Sequence, residues 1–306
     1  MKINKRKIRQ KQSYGDMLIS VMTYVLFAAF AFICVYPFYY IFINTISSNL
    51  LSQKGLIVFM PREIHFSNYI KALQIPGLLN AAMVSVGRTV IGTFLTVIST
   101  AFLGFMFTRE SLWHRKFWYR FVIITMYFNA GIIPWYLTMR NLHLTDNFWG
   151  YVLPTIVSPF YIILAKTFVE SIPKELQQAA EIDGAGTMKV FLSVIIPVIK
   201  PIMATVAIFS AVSHWNAFQD TLLLMTKDKL YSLQFILYQY LNQASSLRAL
   251  VGSSGGSGLA QAVATAQTAT SIRMTVTIIV VAPILLIYPI FQRYFVKGIM
   301  IGAVKG

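Results

Sequence analysis

The chain alternates long apolar runs with shorter segments that collect most of its charge. Met17 to Ile43 carries no charged residue at all. A helix of that length, rising about 1.5 Å per residue, more than crosses a hydrocarbon layer of about 30 Å. Further apolar runs at 81–107, 117–139, 149–168, 200–225 and 274–293 predict six spanning helices in all. Pro37, Pro134, Pro154, Pro159, Pro283 and Pro289 fall inside them. Membrane helices tolerate proline where neighbours satisfy the freed carbonyls. The first run is too long for a signal-peptide core and no clear small-residue cleavage site follows it, so it reads as an uncleaved span. The expected fold class is an all-α membrane protein, with a basic segment 1–16 ahead of a transmembrane unit 17–306.

Composition agrees with that reading. Charged residues make up 12% of the chain, about half the share in an average soluble domain. A net charge of +16 raises nucleic acid as a partner, and the placement of the charges argues against it. Of 26 Lys and Arg, 17 fall on one side of the proposed spans: in the N-terminus, in 109–120, in 166–200 and beyond 292. Eight fall on the other side, and Arg88 lies within a span. The excess of basic residues marks the cytoplasmic side, so both termini are expected there. Arg88 is expected to snorkel its head group to the outer interface rather than to contact a substrate. The single cysteine, Cys34, lies in an apolar run, which leaves no internal disulfide to form.

Little in the chain suggests catalysis. His65, His114, His143 and His214 are scattered without HExxH or CxxC spacing, and each reads as a satisfied polar residue rather than a metal ligand. "GAGTMK" at 184–189 lacks the spacing of a phosphate-binding loop, so this chain is not expected to hydrolyse ATP. Carboxylate pairs within the spans are missing from the sequence, apart from Asp220 near an outer helix end, which leaves ion coupling without an apparatus.

The segment 171–197 stands out among the inner connections. Ser171 and Pro173 are good helix starters, and Leu176, Ala179, Ala180 and Asp183 recur with helical spacing on one face. Gly184 and Gly186 are expected to end that helix, and Thr187 to cap a second one leading into the next span. The product is a helix–turn–helix lying along the inner membrane surface, with small side chains on one face. An ordinary amphipathic connector is the competing reading.

"QAAEIDGA" at 178–185, with Gly184 followed by nine residues and "VIIP" ending at Pro197, resembles the EAA loop of ABC importer permeases. Gln178 stands where that family has a leading glutamate, while Ala179, Ala180, Asp183, Gly184, Ala185 and Pro197 agree. "YPFYYIFINTISS" at 36–48, "HWNAFQD" at 214–220 and "QRYFVKGIMIGAVKG" at 292–306 are similar to the MalG-like branch of carbohydrate importers. The resemblance implies a type I ABC importer permease fold in a lipid membrane, with 171–197 docking as a coupling helix into a groove on a cytoplasmic ATPase dimer. Leu176, Gln178, Ala179, Ala180, Asp183, Gly184, Ala185 and Pro197 are then the coupling residues. It implies further that this chain binds no cofactor, ATP and Mg residing on the ATPase subunits, and that its partners are a second, MalF-like permease and an extracytoplasmic solute-binding protein.

An oligosaccharide is the cargo that the resemblance implies, and six residues suit it as a substrate pathway. Trp215, Asn216 and Phe218 in the fifth span and Asn129, Trp135 and Tyr136 in the third offer ring faces for stacking and amides for hydroxyl groups. An interfacial aromatic belt with helix-packing amides competes with that assignment. The outer segment 226–273 contains Gly252, Gly255, Gly256 and Gly258 in a stretch with linker composition. By resemblance it is a scoop that enters the binding protein's cleft, and the tail 297–306 reaches along the ATPase dimer. An importer of a non-sugar solute and a secondary transporter without an ATPase remain as alternatives.

Overall fold

The structure, a computed structural model, describes residues 14–242 and 271–287, and its regular structure is helical throughout those residues. Helix α1 (Tyr14–Thr45) leaves its apolar surface largely uncovered within the chain, and only Ile43, Asn44 and Thr45 are buried. Such a surface is stable against lipid tails, which are as apolar as the side chains themselves. Short helices α2 (Asn49–Gln53) and α3 (Ser67–Leu73) follow. Asn68 Nδ2 donates to Thr45 O (2.9 Å) and Ser52 Oγ to Asn44 Oδ1 (2.6 Å), tying both helices to the end of α1.

Helix α4 (Leu78–Met106) runs through the centre of the bundle. Helices α5 (Arg115–Tyr127), α6 (Ile132–Asn141), α7 (Trp149–Thr155) and α8 (Pro159–Glu170) come next, then α9 (Lys174–Ile182) and the 30-residue α10 (Thr187–Asn216). Helix α11 (Gln219–Leu224), a helical stretch α12 at 233–242 and α13 (Ser271–Ile287) complete the described chain. The main core lies where α4, α8 and α10 meet, around Phe105, Ala165, Val190, Ile195, Ile199 and Val206. Among the described residues α1, α4 and α10 are each long and apolar enough to cross a membrane, and α7 with α8 form a fourth candidate bent by 46°.

Three of the expected spans differ in detail. The run 117–139 is two helices, because Asn129 Oδ1 accepts the Gly131 amide (2.8 Å) and closes a turn between α5 and α6. The run 149–168 bends where Ser158 is extended ahead of Pro159, as the ring of a following proline disfavours helix at the preceding residue. The run 200–225 is displaced toward the N-terminus. Pro197 lacks an N–H, and its ring would clash with a carbonyl one turn back. Phe191–Ile195 opens into a wide π turn, with Ile196 N–H bonded to Phe191 O, and the helix continues through the proline. It stops at Asn216, where Ala217 turns extended. Of the run at 274–293, residues 288–293 lie outside the described residues.

Arg88 does not snorkel. It is 1% exposed, its Nη1 donates to Ala217 O and Asp220 Oδ1 (both 3.2 Å), and its Nη2 pairs with Asp220 Oδ2. The guanidinium stacks 4.3 Å over the Tyr151 ring, whose hydroxyl donates to Leu230 O (2.6 Å). One residue on α4 thereby holds the end of α10, the start of α11 and, through Tyr151, the 228–230 turn. Nearby, Leu233 N donates to Ser85 Oγ (2.8 Å) and Thr221 Oγ1 meets Ser232 Oγ (2.9 Å). Glycine at position 92 lets α4 and α10 approach closely, since a Cβ there would strike the buried His214 ring.

A second clasp lies outside the spans. Asp146 accepts from Thr226 N (2.6 Å), Thr226 Oγ1 (2.6 Å) and Lys227 N (3.1 Å), joining the turn after α6 to the one after α11. These bonds, the Thr226 hydroxyl foremost, hold its carboxyl below the usual range.

Breaking a buried ion pair on one side costs roughly 3–5 kcal/mol because the remaining charge is stranded, whereas removing both charges is far milder. Arg88→Met is therefore expected to lower the thermal unfolding midpoint of the purified protein sharply. Adding Asp220→Leu should recover more than half of the loss. A double variant no more stable than the single one contradicts the clasp.

Candidate functional site

Helix α8 ends at Glu170, and Ser171 hydrogen-bonds back to Phe168 O (2.7 Å) as the C-terminal cap, so it does not start the next helix. Ile172 is buried and anchors the turn, and Pro173 opens α9. At the far end Gly184 has φ +80, a left-handed conformation costing L side chains about 1–2 kcal/mol. Gly184 N donates to Glu181 O (3.0 Å) and Ala185 N to Ala180 O (2.9 Å), the paired bonds of a Schellman cap. Gly186 is extended and precedes α10 without ending a helix. Thr187 is the first residue of α10 and makes no side-chain cap, because the chain has already turned at Gly184.

The cap decides which way the small residues face. Ala180 and Ala185 pack inward against the cluster that contains Val190 and Phe191. Ala180 therefore leaves the face expected to hold Leu176, Ala179, Ala180 and Asp183, and the outward face carries Leu176, Ala179, Ile182 and Asp183. Ile182 is 86% exposed, an apolar side chain that helical spacing alone did not single out. Leu176 near the start of α9 and Met188 on α10 are each about half exposed, so the segment leaves three apolar side chains uncovered.

Arg109, just after α4, fastens α9 to the bundle. Its Nη1 pairs with Glu181 Oε1 (2.5 Å) and reaches Gln177 Oε1 (3.5 Å), one helical turn apart, while its guanidinium lies 5.8 Å from the Phe105 ring centre. Lys174 and Glu110 add a pair at 3.7 Å that is almost wholly exposed and worth little. Sequence reading missed Arg109, whose partners lie about 70 residues further along; the basic side chain following a span is its only local trace. Gln178 is exposed and lines a cleft of about 610 Å³ between α9 and the 108–115 segment. Pro197 is exposed on α10, immediately past the wide turn. The arrangement is mechanical: a short helix, fixed at one face and apolar on the other, feeds directly into a 30-residue rod.

The six residues considered for a pathway fall in separate places. Trp215 is buried, donates Nε1–H to Val280 O (3.0 Å) and packs with Leu78, Leu233 and Val276. One edge of it borders an apolar groove of about 140 Å³ with Thr89, Ala211 and Pro283. Phe218 stacks on Tyr238 at 4.9 Å, and Asn216 is exposed. Trp135 and Tyr136 pack at the edge of a different cluster, around Met139, Tyr151 and Leu224, and Asn129 is exposed in the break between α5 and α6. Gly252, Gly255, Gly256 and Gly258, and the tail 297–306, lie outside the described residues. Among the described residues no three His, Cys, Asp or Glu gather as a metal site would require.

Comparison with known proteins identifies the architecture. Residues 100–301 match the family described as binding-protein-dependent transport system inner membrane component. The chain is 30% identical over 293 residues to the polygalacturonan/rhamnogalacturonan transport system permease protein YtcP of Bacillus subtilis (strain 168), covering 95% of this chain and 99% of that one. It is 33% identical over 275 residues to Protein LplC of the same organism, covering 90% of each. A solved chain from a bacterial ABC transporter involved in the import of the acidic polysaccharide alginate superposes with a TM-score of 0.81 at 28% identity, covering 93% of this chain and 99% of that one. The chain belongs to the family of binding-protein-dependent transport system inner membrane components, and it is a permease subunit of an ABC importer.

Proposed function

We propose that this permease carries an oligosaccharide into the cytoplasm, received from an extracytoplasmic solute-binding protein. In this reading it pairs with a second, similar permease, and an ATPase dimer holds the ATP and Mg. The cargo assignment is supported by similar transporters described for polygalacturonan, rhamnogalacturonan and alginate. Six spans with both termini in the cytoplasm fit the bias of 17 of the 26 basic residues toward one side.

The observation that carries the coupling role is the fixed stance of α9. Arg109 and the Schellman turn hold one face, leaving Leu176, Ile182 and Met188 free to fill a groove on an ATPase subunit. Burying a side chain of that size contributes about 1.5–3 kcal/mol, so three suffice to seat the helix without a charge at Gln178. Motion of the ATPase then passes to the spans through α10 rather than being absorbed by a loose loop.

The turn at Gly184 tests this directly. A Cβ there meets nothing within 4 Å, so substitution acts through the backbone alone. In a reconstituted complex Gly184→Val should cut uptake and substrate-stimulated ATPase activity about tenfold, the population change that a strain of 1–2 kcal/mol produces. Gly184→Asn, which tolerates the left-handed region, should keep most activity. Equal activity in all three proteins contradicts the role. For the cargo, the associated binding protein is expected to retain oligosaccharides on an array of neutral and uronic-acid glycans. Binding confined to peptides or amino acids contradicts the assignment.

A further inference from the structure

Two clefts meet at the inner end of α4. The first, about 490 Å³, is lined by His114, Arg115, Lys116, Phe117 and Arg120, with Glu110 at its edge. Lys116 and Arg120 are exposed one helical turn apart on α5, and Arg115 Nη1 donates to Thr108 O (2.8 Å). The one carboxylate, Glu110, already faces Lys174 at 3.7 Å. The second cleft, about 290 Å³, is an apolar groove walled by Phe102, Met106, Phe107, Trp118 and Val122. Leu112 lines both, so the cationic cup borders the apolar trough. Trp113 and Phe117, 72% and 61% exposed, flank the cup with the amphipathic or apolar rings common at a membrane interface.

We propose that these joined clefts bind one anionic phospholipid, with its phosphate in the cationic cup and an acyl chain along the Phe102–Trp118 groove. A soluble anion uses the cup and leaves the groove empty, whereas a zwitterionic lipid fills the groove and gains little from the cup. Clustered basic side chains beside a span favour anionic headgroups by charge. The site also bears on the coupling surface, because the lipid braces residues 107–115, the segment from which Arg109 reaches α9. This last point rests on the cytoplasmic placement and coupling role proposed above; the lipid site itself does not.

The test uses the assembled transporter in nanodiscs whose bilayer holds equal mole fractions of phosphatidylglycerol and phosphatidylcholine. One lipid or the other carries a photoreactive acyl chain, and labelled peptides of this chain are mapped by mass spectrometry. Nanodiscs offer both lipids on both faces, so the outcome does not depend on orientation or on transport. Phosphatidylglycerol is expected to label 101–122 several-fold more than phosphatidylcholine. Lys116→Gln and Arg120→Gln should each reduce that preference, and the double variant should bring labelling by the two lipids close to equal. Equal labelling by the two lipids, a preference unchanged in the double variant, or a peptide labelled by neither because protein covers it, each overturns the proposal.

Discussion

A charge in hydrocarbon must find a partner, and in this protein Arg88 finds it on another element. Burying a guanidinium alone costs several kcal/mol, so the chain between α10 and α12 is folded around it. Asp220, Ala217 O and the Tyr151 ring each occupy one aspect of the same head group. That requirement ends α10 at Asn216, sets the start of α11 and fixes the Tyr151 hydroxyl on the 228–230 turn. The half of the bundle around Arg88 is in this sense a coordination shell for one cation. Hydrophobic burial cannot supply such specificity, because lipid offers an apolar side chain the same surroundings as a neighbouring helix does.

The opposite half obeys a different constraint, since α9 leaves an apolar face uncovered without collapsing onto the bundle. Arg109 holds its inner face by the Glu181 pair, and the Schellman turn spends Ala180 and Ala185 on packing against Val190 and Phe191. Between the halves runs α10, uninterrupted despite Pro197 and Pro201. The wide turn at Phe191–Ile195 removes the clash that Pro197 would create, so a sequence that threatens to break the helix leaves a rod from the α9 turn to the Arg88 clasp. The two ends of the molecule are joined by one continuous helix, which packs against α4 and α8 along its length.

Much of this was legible in the sequence, and the failures have physical causes. Hydropathy located α1 and α4 within a few residues, because a spanning helix declares itself by length and composition. It was blind to the break at Asn129 and the bend at Pro159, since a bent or broken span has the same apolar content as a straight one. The partner of Arg88 lies 132 residues away, and no periodicity encodes a tertiary pair. Without the partner, snorkelling was the cheaper reading. For α9 the helical spacing was right, and one residue was misassigned. Ala180 turns inward because a Schellman cap brings its third-last residue against the one after the glycine, and Ile182 is left outside. Trp215 shows the limit for pathway residues: an indole suits a sugar and a helix interface equally, and here it donates to Val280 O.

If α10 is a rod, it moves as one rigid body between α9 and the Arg88 clasp. Spin labels at Lys189 and Val212, with Cys34 replaced by serine, report this by double electron–electron resonance in the assembled transporter. Both positions are exposed, and 23 residues of helix separate them by about 35 Å. A rigid α10 gives one narrow distance distribution near that value, unchanged between the nucleotide-free and ATP-trapped states, while the distance from Lys189 to a label on the partner ATPase shifts. A Lys189–Val212 distance that shortens or broadens on ATP trapping would mean that the wide turn bends, and that α10 is not a rod.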